Sequence, residues 1–201
     1  MPESNPIDMS LAARSSAFQS IIAAAQVSGE KRGPVDAEAA VLQILELLRD
    51  VRHRKASLYL VGNGGSAAVA SHSVTDFLNV AQLRATTLHD SSLLTCMAND
   101  FGYENAFARM LSTLAQPGDA LIAISSSGKS ANICNAALKM REIGGEVITL
   151  SGFAPGNPLR ALGNFNIWLD SRDYGMVEIG HQFVLHNIAD RLRMENELKN
   201  V

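Results

Sequence analysis

The feature that most constrains this chain is a strand that runs directly into a hydroxyl-rich loop and then a helix. Ala120-Leu121-Ile122-Ala123-Ile124 is apolar throughout, as a strand covered on both faces must be. Ser125-Ser126-Ser127-Gly128-Lys129-Ser130-Ala131-Asn132 follows, and Ile133-Cys134-Asn135-Ala136-Ala137-Leu138-Lys139-Met140 has a helical pattern. A helix N-terminus carries unpaired backbone N–H groups and a partial positive charge, so it suits an anion. Ser125, Ser127 and Ser130 add hydroxyl donors, and Gly128 permits a tight turn. One serine would cap the helix. Three with a glycine predict a phosphate pocket.

A second segment repeats this logic. Leu58-Tyr59-Leu60-Val61 reads as a buried strand, Gly62-Asn63-Gly64-Gly65-Ser66 as a glycine turn, and a helix follows from about Ala67 to Leu78. The spacing is not that of a dinucleotide fingerprint, and Lys129 lacks the first glycine of a Walker A loop, so a sugar-phosphate site is favoured over a nucleotide site. Further strands are predicted over 85–88, 146–150 and 165–169. Helices are predicted over Met9 to Val27, Val35 to Val51, 91–98, 103–115, 130–143, 158–162 and 175–198. Leu11, Phe18, Ile21 and Ile22 share one side of the first helix, and Val41, Leu42, Ile44, Leu45 and Leu48 form the stripe of the second. Apolar strands alternating with helices make an α/β protein whose parallel sheet is flanked on both faces. Ligands then gather beyond the carboxyl ends of the strands, where the serine and glycine loops lie, with Thr149-Leu150-Ser151-Gly152 as a third polar strand end.

The 201 residues, 47% of them hydrophobic, suffice for one α/β domain with a helical extension. A net charge of −3 gives no sign of nucleic-acid or acidic-membrane binding. Cys96 and Cys134, without C-x-x-C spacing, read as reduced core thiols of a cytosolic protein. No basic leader or long apolar run is evident, so neither a signal peptide nor a membrane span is expected, and the location is expected to be cytoplasmic.

His72 and Asp76 are four apart and share a helix face; Glu178, Gln182 and His186 share another, while His181 lies about 140° round from His186. Taken singly, each His–acid pair reads as an ordinary helix-surface contact. Together, two imidazoles and two carboxylates suit a divalent ion of the zinc type, or an acid–base pair.

Gly62-Asn63-Gly64-Gly65-Ser66, Ala98-Asn99-Asp100-Phe101-Gly102, Ile124 to Asn132, and Ile148-Thr149-Leu150-Ser151-Gly152 resemble, in this order, the sugar isomerase (SIS) fold, and most closely the bacterial phosphoheptose isomerases. The resemblance runs from the N-terminal helices to about Leu192. It implies a five-stranded parallel sheet between helices, with residues 1–52 as an N-terminal helical segment of the same unit, used in oligomerisation, and 53–201 as the SIS domain. It implies a homotetramer that converts sedoheptulose 7-phosphate to a heptose 7-phosphate for lipopolysaccharide or capsule. By resemblance, Ser125, Ser126, Ser127 and Ser130 hold the phosphate with Asn63, Gly64 and Ser66. Asn99, Asp100 and Glu178 join the substrate site, Asp76 and His186 transfer the proton, and His72, Asp76, Glu178 and His186 bind zinc. Asp76 stands where the family has Glu, and Glu178 where it often has Gln. A non-catalytic SIS protein, binding a sugar phosphate or a replication-initiation partner, is the alternative; retention of both His72 and His186 argues against it. A sugar-phosphate-sensing regulator is disfavoured by the acidic charge and the lack of a DNA-binding segment.

Overall fold

The structure, a computed structural model, describes residues 8–29 and 32–199. Five strands form the parallel sheet: β3 (Ser57–Val61), β4 (Arg84–Thr87), β5 (Ala120–Ser125), β6 (Glu146–Ser151) and β7 (Phe165–Trp168). A hairpin of β1 (Gln26–Gly29) and β2 (Arg32–Val35) extends it antiparallel to β7, giving the order β2-β1-β7-β6-β5-β3-β4. The hairpin corrects the expected helix boundaries. Helix α1 is Leu11–Ala23 and stops short of Val27, which is buried in β1. Helix α2 is Ala37–His53, because Val35 pairs in β2 and the Asp36 carboxylate caps the helix, accepting from the Ala39 N–H at 2.9 Å. No apolar strand signal marks the four residues 26–29, where Val27 is the one strong strand former and tertiary pairing overrides propensity.

The remaining helices are α3 (Gly65–Asn79), α4 (Ser91–Phe101), α5 (Ala106–Leu114), α6 (Ala131–Ile143) and α7 (Tyr174–Lys199). Residues 103–105 and 158–161 are 3₁₀ turns, so the helix expected over 158–162 is only one short turn. Alternation along each strand feeds two cores. Leu58, Leu60, Ile122, Ile124, Ile148 and Leu150 face Ile44 and Leu48 of α2, Phe77 of α3 and Leu185 and Ile188 of α7. Tyr59, Val61, Leu121, Ala123 and Val147 face Phe107 and Leu111 of α5 and Ile133, Ala137 and Met140 of α6. Each fully buried Leu, Ile or Phe contributes roughly 2 kcal/mol.

No residue of α1 is buried and Leu11 is 84% exposed; Phe18 meets Phe183 of α7 edge-on at 6.1 Å. One expectation fails on burial. Cys96 is exposed on α4, a helix without a buried residue, and Cys134 is only half-buried, so neither is a core thiol. Both are free.

From β3 the chain winds outward to β4, then crosses back to β5 on the other side of β3. The loops after β3 and β5 therefore diverge over opposite faces of the sheet, and the crevice between them is the topological switch point.

Candidate functional site

A pocket of about 270 Å³ opens at this switch point. It is lined by Asn63, Gly64, Gly65 and Ser66 after β3, by Ile124 to Ser127 and Ser130 at the end of β5, and by Tyr174 and Glu178 of α7. Two helices begin in it. Helices α1, α2 and α4 each have a side-chain acceptor at the N-cap (Ser10, Asp36, Asp90), and Asp173 accepts from Met176 N–H at the start of α7. Helices α3 and α6 have none. Helix α5 also lacks one but does not begin in the pocket. In α6 the Ile133 N–H is taken by Asn132 Oδ1 at 3.0 Å, and Ser127 Oγ accepts the Lys129 N–H at 3.2 Å. The first amides of α3 and α6 remain for a ligand, and both dipoles converge on it. Ser125 and Ser130 instead bond to each other, Oγ to Oγ at 3.0 Å, and the buried Ser126 hydroxyl has no partner among the described residues. This is a donor-rich, cation-free cradle suited to a phosphate.

The serine loop is braced from below. Gly128 has φ +64°, and the Asn157 side chain occupies the place a Cβ there would need. Asn157 donates to Ser151 Oγ, Gly152 O and Ala154 O. Gly152 N–H in turn donates to Ser126 O at 2.9 Å. His181 is fully buried and meets Ser151 O through Nε2 at 3.2 Å. Burial holds its pKa down at about 4, so the ring is neutral, and Nδ1 has no partner among the described residues. The polar end of β6 thus supports the loop and does not line the pocket.

Helices α3 and α7 lie side by side and run the same way. Near their starts the Glu178 carboxylate fills the space a Cβ on Gly65 would take. Further along, Gln182 Nε2 reaches Ser73 Oγ at 3.5 Å. Further still, His186 Nδ1 is 2.9 Å from Asp76 Oδ2, and His72 Nε2 is 3.9 Å from it. The two imidazoles meet edge-on at 5.0 Å. His72, Asp76 and His186 offer ligand atoms all within 4.8 Å of one another. Asp76 Oδ2 is buried and, among the described residues, has no well-aligned hydrogen bond, although His186 Nδ1 lies 2.9 Å away. Two imidazoles and a carboxylate are a donor set that fits a zinc-type ion.

Glu178 is not part of this group. It sits eight residues before His186, about 12 Å along the helix, and so belongs to the phosphate pocket. His186 is partly open to solvent, its side chain 43% exposed. Asn99 and Asp100 are exposed at the end of α4, bonded to each other, and lie outside the pocket lining. Sequence reasoning missed Gly65 and Tyr174 in the lining. It also missed Tyr103 and Asn132, which bind Asn63: Tyr103 Oη donates to Asn63 Oδ1 at 2.7 Å, and the two amides pair reciprocally at 2.9 Å. Asn132 could have been found as an amide inside the serine motif. Tyr103 carries no local signal.

Residues 30–152 match the SIS domain family. The chain is 34% identical over 158 residues to the phosphoheptose isomerase of Geotalea daltonii, covering 76% of this chain and 82% of that protein. It is 38% identical over 143 residues to that of Mycobacterium tuberculosis, covering 68% and 72%. Among solved structures, the phosphoheptose isomerase from Neisseria gonorrhoeae superposes with a TM-score of 0.77 at 27% identity, covering 90% of this chain and 97% of that one.

Proposed function

The chain belongs to the phosphoheptose isomerase family of SIS-domain proteins, and on that premise we propose that it is an aldose–ketose isomerase converting sedoheptulose 7-phosphate to a heptose 7-phosphate. The observation that carries this reading is the pairing of two uncapped helix N-termini at a serine-lined pocket with an acid–base group further along the same helix pair. His72 is seven residues beyond Gly65, which is about 10 Å along α3. From phosphorus to C1 of an extended seven-carbon sugar phosphate is eight bonds, also about 10 Å at ~1.2 Å per bond. A three-carbon sugar phosphate spans roughly half that. Asp76 lies eleven residues beyond Gly65, about 16 Å along α3, so a phosphate seated in the pocket brings the far end of a six- or seven-carbon chain to the His72 side of the acid–base group, which a three-carbon chain falls well short of.

In this reading Ser125, Ser126, Ser127 and Ser130, with Asn63, Gly64 and Ser66, hold the phosphate. Glu178 and Tyr174, which line the pocket from α7, accept and donate to sugar hydroxyls. Asp76 takes the proton from the carbon beside the carbonyl, an enediol forms, and His186 moves the proton between the two oxygens before Asp76 returns it to the neighbouring carbon. The Asp76 carboxylate, with His186 Nδ1 2.9 Å from Oδ2, supports the pairing of base and acid in this role. A zinc ion held by His72, Asp76 and His186 would polarise the carbonyl oxygen. Product for a heptose of lipopolysaccharide or capsule, made in the cytoplasm, is consistent with this activity. No described helix is long and apolar enough to cross a membrane.

A homotetramer is part of the same reading: α1 has no buried residue, and Leu11, Ile179 and Phe183 stand exposed on α1 and α7. Light scattering at micromolar concentration tests it, and a monomer refutes it. The activity is tested by incubating the purified protein with sedoheptulose 7-phosphate and separating the products. An aldoheptose 7-phosphate is expected; a ketose recovered unchanged, with and without added zinc, refutes the isomerase.

A further inference from the structure

The glycine loop after β3 has no cap of its own. Gly64 has φ +54°, and no side chain of the loop bonds the first turn of α3. Its conformation is fixed from three other elements. Between β4 and α4, His89 Nε2 accepts the Gly62 N–H at 3.3 Å. An accepting Nε2 puts the proton on Nδ1, which lies 3.5 Å from Ser71 Oγ on α3. The ring stands edge-on to Phe107 at 5.7 Å, so packing sets its plane. From the turn before α5, Tyr103 donates to Asn63 Oδ1. From α6, Asn132 takes one Asn63 amide hydrogen and donates one in return. That leaves the second amide hydrogen of Asn63 for the pocket it lines.

We infer that His89 is a positioning residue: by accepting the Gly62 N–H it holds the glycine loop so that the Asn63 amide and the first amides of α3 face the phosphate pocket. Half-buried against the loop, the ring is kept neutral, since burial pushes its pKa below the ordinary value, and only the neutral ring can accept. His89 touches no substrate in this arrangement and acts only through the loop. The inference rests on the reading of this pocket as the sugar-phosphate site.

Two variants separate the acceptor from the shape. His89→Phe keeps a ring against Phe107 and removes the acceptor; His89→Gln restores an acceptor near the Nε2 position. Two readouts are needed: the KM and kcat for sedoheptulose 7-phosphate, and hydrogen exchange of the amides in residues 58–66 without ligand. In His89→Phe, KM should rise about tenfold, the factor of one ordinary hydrogen bond, with kcat within about twofold. Exchange over the loop should accelerate by a similar factor, and His89→Gln should recover most of both. Unchanged loop exchange in His89→Phe overturns the inference, whatever the protein binds. So does His89→Gln behaving as badly as His89→Phe, or kcat falling in step with KM. Wild-type protein that turns over no sugar phosphate while His89→Phe still loosens the loop refutes the catalytic reading and supports the brace.

Discussion

Acidification should destabilise this protein through His181, and the size follows from its burial. The unfolded chain binds a proton on this imidazole near pH 6.5. In the fold, desolvation holds its pKa at about 4, only partly opposed by the hydrogen bond to Ser151 O. The folded-state value is depressed, so the unfolded state takes up the proton first, and stability falls as pH drops below 6.5 until it levels near 4. At pH 5 the unfolded chain carries about 0.9 more proton here than the fold, a slope of about 1.2 kcal/mol per pH unit. Across the window the loss is roughly 3 kcal/mol. His89, also lowered by burial, adds to the loss with the same sign. The mainly exposed carboxylates lowered by partners, Glu38 and Asp173, lose their stabilisation chiefly below about pH 4.5. The assay is urea denaturation at pH 7, 6 and 5 at one protein concentration, for wild type and His181→Gln. The variant should be less stable at pH 7 but should lose about one proton's worth of slope. Equal slopes in the two proteins would refute the assignment of a buried neutral imidazole.

Ser127→Ala should weaken phosphate binding by roughly 1.5–3 kcal/mol, the range for a hydrogen bond to a charged group, with the melting temperature unchanged; titration calorimetry with a sugar phosphate checks it. Gly65→Ala should fold well, because the three atoms nearest its Cβ all belong to the movable carboxylate of Glu178, but KM for the sugar phosphate should rise several-fold as Glu178 is pushed off the pocket wall. Adding zinc at 100 times its Kd should stabilise the protein by about 2.7 kcal/mol in a thermal shift assay, and His72→Ala should lose most of that gain.

The parallel sheet was legible because its central strands β3 and β5 are apolar and end in loops of Gly and Ser, two signals that coincide only where a doubly wound sheet presents its ligand edge. The phosphate half of the site was legible for the same reason, since its residues are local to two loops. The β1–β2 hairpin was not, because β1 gains its strand state from pairing with β7, about 140 residues away, and β2 from pairing with β1. The four-residue spacings placed His72 beside Asp76 correctly but could not rank Glu178, whose neighbour Gly65 comes from another helix. The exposed Cys96 shows a further limit: apolar neighbours in sequence do not bury a residue when its helix faces solvent.

The central claim is that Asp76 moves a proton between neighbouring carbons of a long-chain sugar phosphate seated on the two uncapped helices. Its most direct measurement is proton NMR of sedoheptulose 7-phosphate in deuterium oxide with catalytic amounts of protein. Wild type should exchange a C1 proton of the ketose for deuterium, or the C2 proton of the aldose formed from it. Asp76→Asn should abolish the exchange, because an amide cannot accept the proton, while still binding the phosphate. Wild type with no exchange at C1 or C2, with and without added zinc, would contradict the account, and so would Asp76→Asn exchanging as fast as wild type.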